Sequence, residues 1–365
     1  MPLSPRSSTT FGFLVLPVAV VSMAYGQASA PSPRQSDQLC DRACLISIVD
    51  SYIAALVAHD PSRVAIASDA KFTENTKSIR PGDGLWKSIQ EGPIRFKIQV
   101  ADPVSAQVGF VGVITHSGPY LLDGQQFVEA QAGMAFLALR IKVRGREIVE
   151  SEALLFRQPR TEPRFVCGPE HPPILCDRSN VETVRPGLRA TVPPAERASR
   201  EELIRVADTY YESIVRSDGS VGLFADDCVR HENGGRTTLR SPEQLSAELA
   251  VGGSRLWSTF NTLSCRDQMN TRALSYITSI SRRMQIADPE TGLVFGLSMF
   301  RRPRSETART IVGIPGVDRV DQSKTKPDSR LWAHVFKIGG GKIHEIEALS
   351  GVPLPLDSKH GWETD

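Results

Sequence analysis

His231, Glu232 and Asn233 stand side by side in the second half of this 365-residue chain and offer a base, an acid and an orienting amide. Tyr210 upstream could donate to a developing oxyanion, while His334 and Glu345 add titratable groups downstream. Groups of this kind move protons efficiently only where burial and neighbouring charge bring their pKa values toward working pH. The chemistry they point to is general acid–base catalysis in a largely apolar pocket. A strand alternates its faces, so His231 and Asn233 should share one side and Glu232 the other. The trio cannot all enter one pocket, and His231 is the favoured candidate. Each residue also has a plainer reading. Tyr210 suits a core position with a hydrogen-bonded hydroxyl, and of strand residues such as His334 and Glu345 about half should face solvent.

The elements that must hold these residues come in two copies. Asp50-Ser51-Tyr52 returns as Asp208-Thr209-Tyr210, Asp60 as Asp218, and Phe72-Thr73-Glu74-Asn75 as Arg230-His231-Glu232-Asn233, all at an offset of 158 residues. The offset then grows: Leu85-Trp86 matches Leu256-Trp257, Ala101-Asp102-Pro103 matches Ala287-Asp288-Pro289, and Ile148 to Leu154 matches Ile343 to Leu349. A repeat of this length governs the architecture and is read before secondary structure. It also weighs the candidates. His231 stands where the first copy has Thr73, as expected if one pocket is active. Glu74-Asn75 and Glu232-Asn233 occur in both copies, which fits a shared structural duty such as capping a turn as well as it fits catalysis. Tyr52, Trp86, Trp257, Glu74 and Asn75 complete the expected pocket linings, with packing as the alternative role of the tryptophans.

Each copy opens with an amphipathic helix: Leu45, Ile48, Val49, Tyr52 and Leu56 share one face, as do Leu203, Val206, Ala207, Tyr210 and Ile214. Asp60-Pro61-Ser62 reads as a helix stop and restart with Asp60 as cap, and Asp218-Gly219-Ser220 repeats it. Alternating runs follow, such as Leu139, Ile141 and Val143 against Arg140, Lys142 and Arg144. Strands are expected near Ile94–Val100, Val108–His116, Ala273–Ile286, Leu293–Arg301, Leu331–Ile338 and Lys342–Leu349, with Gly339-Gly340-Gly341 as the last hairpin turn. The fold class is therefore α+β: two domains, 38–157 and 200–356, each a curved antiparallel sheet packed on about three N-terminal helices. A Pro-rich linker spans 158–199 and a tail 357–365. Pro303–Ser329 reads as an inserted loop, mobile or functional.

The tyrosine-bearing helix, the Asp-led break, the Phe-Thr-Glu-Asn type motif, the Gly84-Leu85-Trp86 segment and the closing Gly341-Lys342-Ile343-His344-Glu345-Ile346-Glu347 strand together resemble the SnoaL-like branch of the nuclear transport factor 2-like superfamily. The resemblance spans most of the chain beyond the leader. It implies cone-shaped domains with a pocket at the open end, paired through their sheets, so that this chain would be an intramolecular pseudo-dimer able to act as a monomer. It also implies a menu of cofactor-independent lyases, isomerases and cyclases alongside proteins that only bind, and a fold cannot choose among them. The expected function is acid–base catalysis on a small hydrophobic molecule in one cone. The alternatives are noncatalytic capture of such a molecule and a pericyclic cyclase of Diels–Alder type.

Arg6, the apolar run Phe11–Met23 and Ala28-Ser29-Ala30 form a signal-peptide pattern with cleavage near Ala30, so export to the periplasm or medium is expected. The run is too short to cross a bilayer and is broken by Pro17. Forty-three basic against forty-one acidic residues leave no field to gather nucleic acid or a membrane surface. The cluster Arg301-Arg302, Arg304 and Arg309 reads as a solvated loop. Six cysteines in an exported chain favour disulfides over metal ligands. The expected pairs are 167/176 and 228/265. Cys40 with Cys44 is awkward within a regular helix and requires a distorted helix start, or a partner elsewhere. No Gly-x-Ser-x-Gly elbow, phosphate loop, His-Glu-x-x-His or dinucleotide fingerprint is present, so no cofactor and no metal are expected.

Overall fold

A computed structural model describes residues 40–362 apart from 94, 123–124, 158–178 and 304–305. The expected leader 1–30, the 167/176 pair and Ile94 at the start of one expected strand lie outside the described residues.

Helix α1 (Arg42–Val57) buries Leu45, Val49, Tyr52 and Leu56, the apolar face of the sequence reading. Asp41 caps it, accepting from the Cys44 N–H at 2.8 Å, and places Cys40 ahead of the first turn. That extended entry lets Cys40 bridge Cys44 across a Cα–Cα distance of 5.3 Å, so the awkward pairing is met by a helix that starts between the two cysteines. Asp60 caps a single 3-10 turn, Pro61–Arg63, through the Ser62 N–H. Then follow β1 (Ile66–Glu74), β2 (Lys77–Ile79), α2 (Leu85–Ser88), β3 (Ile89–Glu91), β4 (Lys97–Asp102), β5 (Gln107–Leu122), β6 (Gln125–Arg144) and β7 (Glu147–Arg157). Two short helices, α3 (Ser179–Glu182) and α4 (Pro186–Arg189), lead to α5 (Arg200–Arg216). The second half continues with β8 (Phe224–Glu232), β9 (Gly235–Arg236), α6 (Pro242–Ala250), α7 (Arg255–Phe260), α8 (Cys265–Asn270), β10 (Ser279–Asp288), β11 (Leu293–Arg302), β12 (Ala308–Thr310), β13 (Arg319–Asp321), β14 (Asp328–Gly339) and β15 (Lys342–Leu354).

The fold is α+β with two curved sheets. The first runs β2-β1-β7-β6-β5, with β3 and β4 both on β5; the second runs β9-β8-β15-β14-β11-β10. The sheets are not purely antiparallel as expected. β1 lies parallel to β7, and β8 parallel to β15, because the first long strand of each half pairs with the last, at the end of a crossover built from everything between. Nor do all the helices precede the strands. Only α1 and α5 do; α2, and α6 to α8, fall between the first strands and the rest of their sheets.

Each sheet has one face on its helix and one on the other sheet. Tyr52 of α1 shares one core with Phe72, Trp86 and Leu137, while Tyr210 and Tyr211 of α5 share another with Phe336 and Ile346. The opposite faces meet in a shared core that includes Ile98, Phe136 and Leu154 from the first sheet and Phe295, Val335 and Leu349 from the second. Full burial of each such side chain contributes roughly 1.5–3 kcal/mol. Gly109 permits the contact, since a Cβ there would lie 2.4 Å from the Phe295 ring. Val184 and Leu188 close this core as well, so the described part of the 158–199 stretch is more than a tether.

Several ion pairs cross between the halves, among them Arg283 of β10 with Glu152 of β7. Arg42 at the start of α1 donates to Asp288 on the second sheet at 2.9 Å, and Arg200 at the start of α5 donates to Asp102 on the first sheet at 2.7 Å. Arg42 and Arg200 are themselves 158 residues apart, and Asp102 and Asp288 are the aspartates of the repeated Ala-Asp-Pro. The insertion Pro303–Ser329 carries a small hairpin, β12–β13, whose connecting loop packs Ile311 and Ile314 on Leu256 and Phe260. In the second half Cys228 and Cys265 are bridged, as expected. Among the described residues no helix is long and apolar enough to cross a membrane.

Candidate functional site

The structure divides the sequence-predicted site residues between two faces of the second sheet. His231 on β8 sits in register with Glu347 of the parallel strand β15. Glu345 and Glu347 both bind Arg185, at 2.8 and 2.9 Å, so His231 and Glu345 lie on the face away from α5. Burial first, then the guanidiniums of Arg185, Arg236, Arg230 and Arg240, drive the His231 imidazole down to about 2. It is neutral at working pH and a feeble base. The expectation that His231 would join Tyr210 and His334 in one pocket is corrected, because adjacent strand residues point to opposite faces and it is Arg230 and Glu232 that turn toward α5. Asn233, with φ 48°, ends β8: its N–H donates to the Ala348 carbonyl at 2.9 Å, as the Asn75 N–H does to Ala153 at 2.9 Å. Asn tolerates this left-handed conformation better than most residues.

In the first half the expected pocket residues perform structural work. Asn75 exchanges hydrogen bonds with both backbone groups of Leu155, at 3.0 and 2.9 Å. Glu74 accepts from the Leu85 N–H at 2.7 Å, and its burial raises its carboxyl. The Trp86 ring stands edge-on to Tyr52 at 5.3 Å, and the Tyr52 hydroxyl pairs with Ser151 at 2.9 Å. Trp86 is 1 % exposed, which makes it core rather than a stacking platform. Trp257, its counterpart, lies away from the second tyrosine, against Phe260 at 5.4 Å.

The face of the second sheet under α5 differs in kind. At the position of the buried Phe72 stands Arg230, whose Nε donates to the Tyr210 hydroxyl at 3.0 Å and whose Nη2 donates to Glu232 Oε2 at 2.8 Å. Nη1 completes the fork on Thr237 Oγ1 at 2.9 Å. Its ion-pairing keeps the guanidinium charged, raised above its usual range against the cost of burial. Burial also raises the Tyr210 phenol, with Arg230 pulling the other way, so Tyr210 keeps its proton. Because its oxygen accepts from Arg230, that proton is free to be donated. Glu232 keeps 27 % of its side chain exposed and forms the outer end of this chain of contacts.

Beneath lies a row of stacked rings. His334 stacks with Phe300, Trp332 and Phe336 at 5.7–5.9 Å, and its Nδ1 is 3.1 Å from the Tyr211 hydroxyl. Burial holds its pKa well below the usual range, and its Nε2 has no hydrogen-bond partner. His334 therefore joins Tyr210, with ring centroids 5.5 Å apart, as a neutral polar group. Two surface clefts of about 570 and 540 Å³ lie elsewhere, beside Trp362 and beside Arg95 and Glu182. Sequence reasoning missed Arg230. The signal was present in the repeat, as an arginine where the other copy has Phe72.

Residues 196–350 match the model of a family described as a domain of unknown function, DUF8021. Among curated proteins none matches the chain. The chain is similar to a solved structure of AclR, a putative hydroxylase from Streptomyces galilaeus, at 15% identity over 33% of this chain and 93% of that one, with a TM-score of 0.26. It is similar also to a putative polyketide cyclase from Xanthomonas campestris pv. campestris, at 17% identity over 31% and 90%, with a TM-score of 0.26. A de novo designed protein with a curved β-sheet shares 11% identity over 42% and 88%, with a TM-score of 0.22.

Proposed function

We propose that the two halves, 38–157 and 200–356, are copies of one SnoaL-like unit in an exported chain, and that the second performs proton transfer on a small, carbonyl-bearing hydrophobic molecule. One observation carries this reading: the Arg230 guanidinium holds a hydroxyl donor, Tyr210, and a carboxylate, Glu232, together beside a stack of aromatic rings, where the first half has only Phe72. Glu232 takes a proton from the carbon beside the substrate carbonyl. The charge passes to oxygen, where the Tyr210 O–H stabilises the enolate, and Glu232 returns the proton at the same or a conjugated carbon. Atoms and charge balance with no cofactor, and the net reaction is an isomerisation or, with an internal electrophile, a cyclisation. Arg230 sharpens the Tyr210 donor and orients Glu232; the first half is supportive.

The step can be read without the native substrate, as deuterium uptake at the α-carbon of 1-tetralone in D2O followed by NMR. The full chain should accelerate uptake over buffer. Glu232→Gln should lower the rate by about 10²–10⁴-fold and Tyr210→Phe by about 10²–10³-fold, each with unchanged circular dichroism. No acceleration by the unaltered chain, or variants that match it, would sink the proposal.

A further inference from the structure

The inserted hairpin brings a second recognition element to the same face. Tyr276 lies between two guanidiniums, Arg302 at 4.9 Å and Arg309 at 4.6 Å from its ring centroid, and Arg309 also covers Trp257 at 5.9 Å. Tyr276 packs against the core cluster that includes Tyr210, Phe336 and Ile346, which sets this group on the α5 side of the second sheet. Arg309 belongs to β12, and its position is fixed: Ile311 and Ile314 are buried on Leu256 and Phe260, and the Val312 N–H donates to the Thr271 carbonyl at 2.9 Å.

Charge on this side is unbalanced. Asp328 is shared by Arg302, at 3.2 Å, and Arg330, at 3.1 Å. Among the described residues Arg309 has no acidic partner, and its Nε is buried without a hydrogen bond. Of the arginines expected in a solvated loop, Arg301 and Arg302 end β11 and Arg309 lies on β12, all three half-buried, while Arg304 lies outside the described residues. Burying an unpaired cation is costly unless something else completes it. Aromatic rings hold the guanidinium at 4.6 and 5.9 Å, and its N–H fork suits an acceptor in its own plane, the geometry of a bidentate carboxylate.

We infer that the ligand of the second half carries a carboxylate on its hydrophobic body, and that Arg309, backed by Arg302 and steadied by Tyr276 and Trp257, receives it. This rests on the reading that a small molecule binds under α5, and it adds the substrate class. The hairpin then acts as the specificity element that the first half lacks.

The test is isothermal titration of the full disulfide-bonded chain with 2-naphthoate and with neutral 2-naphthamide, which differ in charge at nearly equal size. Naphthoate should bind about ten- to a hundredfold tighter, as charge-assisted hydrogen bonds imply. Arg309→Gln should bring the two to parity by weakening naphthoate alone, and Arg309→Lys should restore only part of the preference, since an ammonium lacks the fork. Equal affinities in the unaltered chain, no measurable binding of naphthoate, or a preference that survives Arg309→Gln overturns the inference. If deuteration succeeds while the preference is absent, this inference fails alone. If the preference is present while deuteration is absent, the proton-transfer reading fails and the anion site stands.

Discussion

Removing Arg200 tests the crossed ion pairs that join the halves. The Asp102 carboxylate is 1 % exposed and the Arg200 side chain 23 %. Arg200→Ala leaves a buried anion, for which truncation of a buried pair typically costs about 3–5 kcal/mol. Three backbone N–H groups remain on Asp102: Val104 at 3.1 Å and Ser105 at 3.2 Å on Oδ1, and Ala287 at 3.3 Å on Oδ2. They hold part of the charge, so the expected loss is near the lower end, about 3 kcal/mol. Arg42→Ala should cost less, because the Arg42 side chain is 32 % exposed and solvent screens its pair with Asp288. The assay is urea unfolding with disulfides intact, followed by circular dichroism and tryptophan fluorescence. The double variant Arg200→Leu with Asp102→Leu separates lost attraction from stranded charge, since replacing both partners by apolar groups is often near neutral. It should recover only part of the loss, because Asp102→Leu also leaves the Val104, Ser105 and Ala287 N–H groups without their acceptor. A cost below about 1 kcal/mol for Arg200→Ala would class the pair with exposed ion pairs and refute its role as an interlock.

His231, depressed to about 2 in the folded chain, binds a proton more readily unfolded; its contribution is present above the unfolded value of 6.5 and is lost as pH falls from there toward 2. Below pH 6 this amounts to about 1.4 kcal/mol per pH unit, and His231→Gln should flatten the acid side of a stability–pH curve by that slope; an unchanged slope would refute the assignment. The Cys228–Cys265 bridge closes a separation of 37 residues and the Cys40–Cys44 bridge one of 4. On the loop-entropy estimate, replacing each pair by serine should cost about 4 and about 2 kcal/mol respectively, read as shifts in the urea midpoint; equal costs would contradict it.

Much of the scaffold was legible because it rests on local rules. The apolar stripes of α1 and α5 follow the helical period, Asp60 and Asp218 accept from the N–H groups of Ser62 and Ser220 two residues on, and alternation marked most of the long strands. Strand ends were less legible: β10 begins at Ser279 rather than near Ala273, since pairing partners, not composition, decide where a ladder starts. The site was half legible. Tyr210 and His334 do share a face, but His231 and Glu345 do not join them.

The sequence by itself determined the α+β class, the helix faces that turn inward and the recurrence of one set of motifs, because periodicity and repetition are properties of the chain. Only the tertiary structure decided that Arg42 and Arg200 cross to the other half, since a repeated motif reads the same whether its partner lies within the copy or beyond it. It also decided which way β8 faces. The parallel register with β15 turns Arg230 and Glu232 under α5 and His231 away, and pairing between strands so far apart in sequence leaves no local trace.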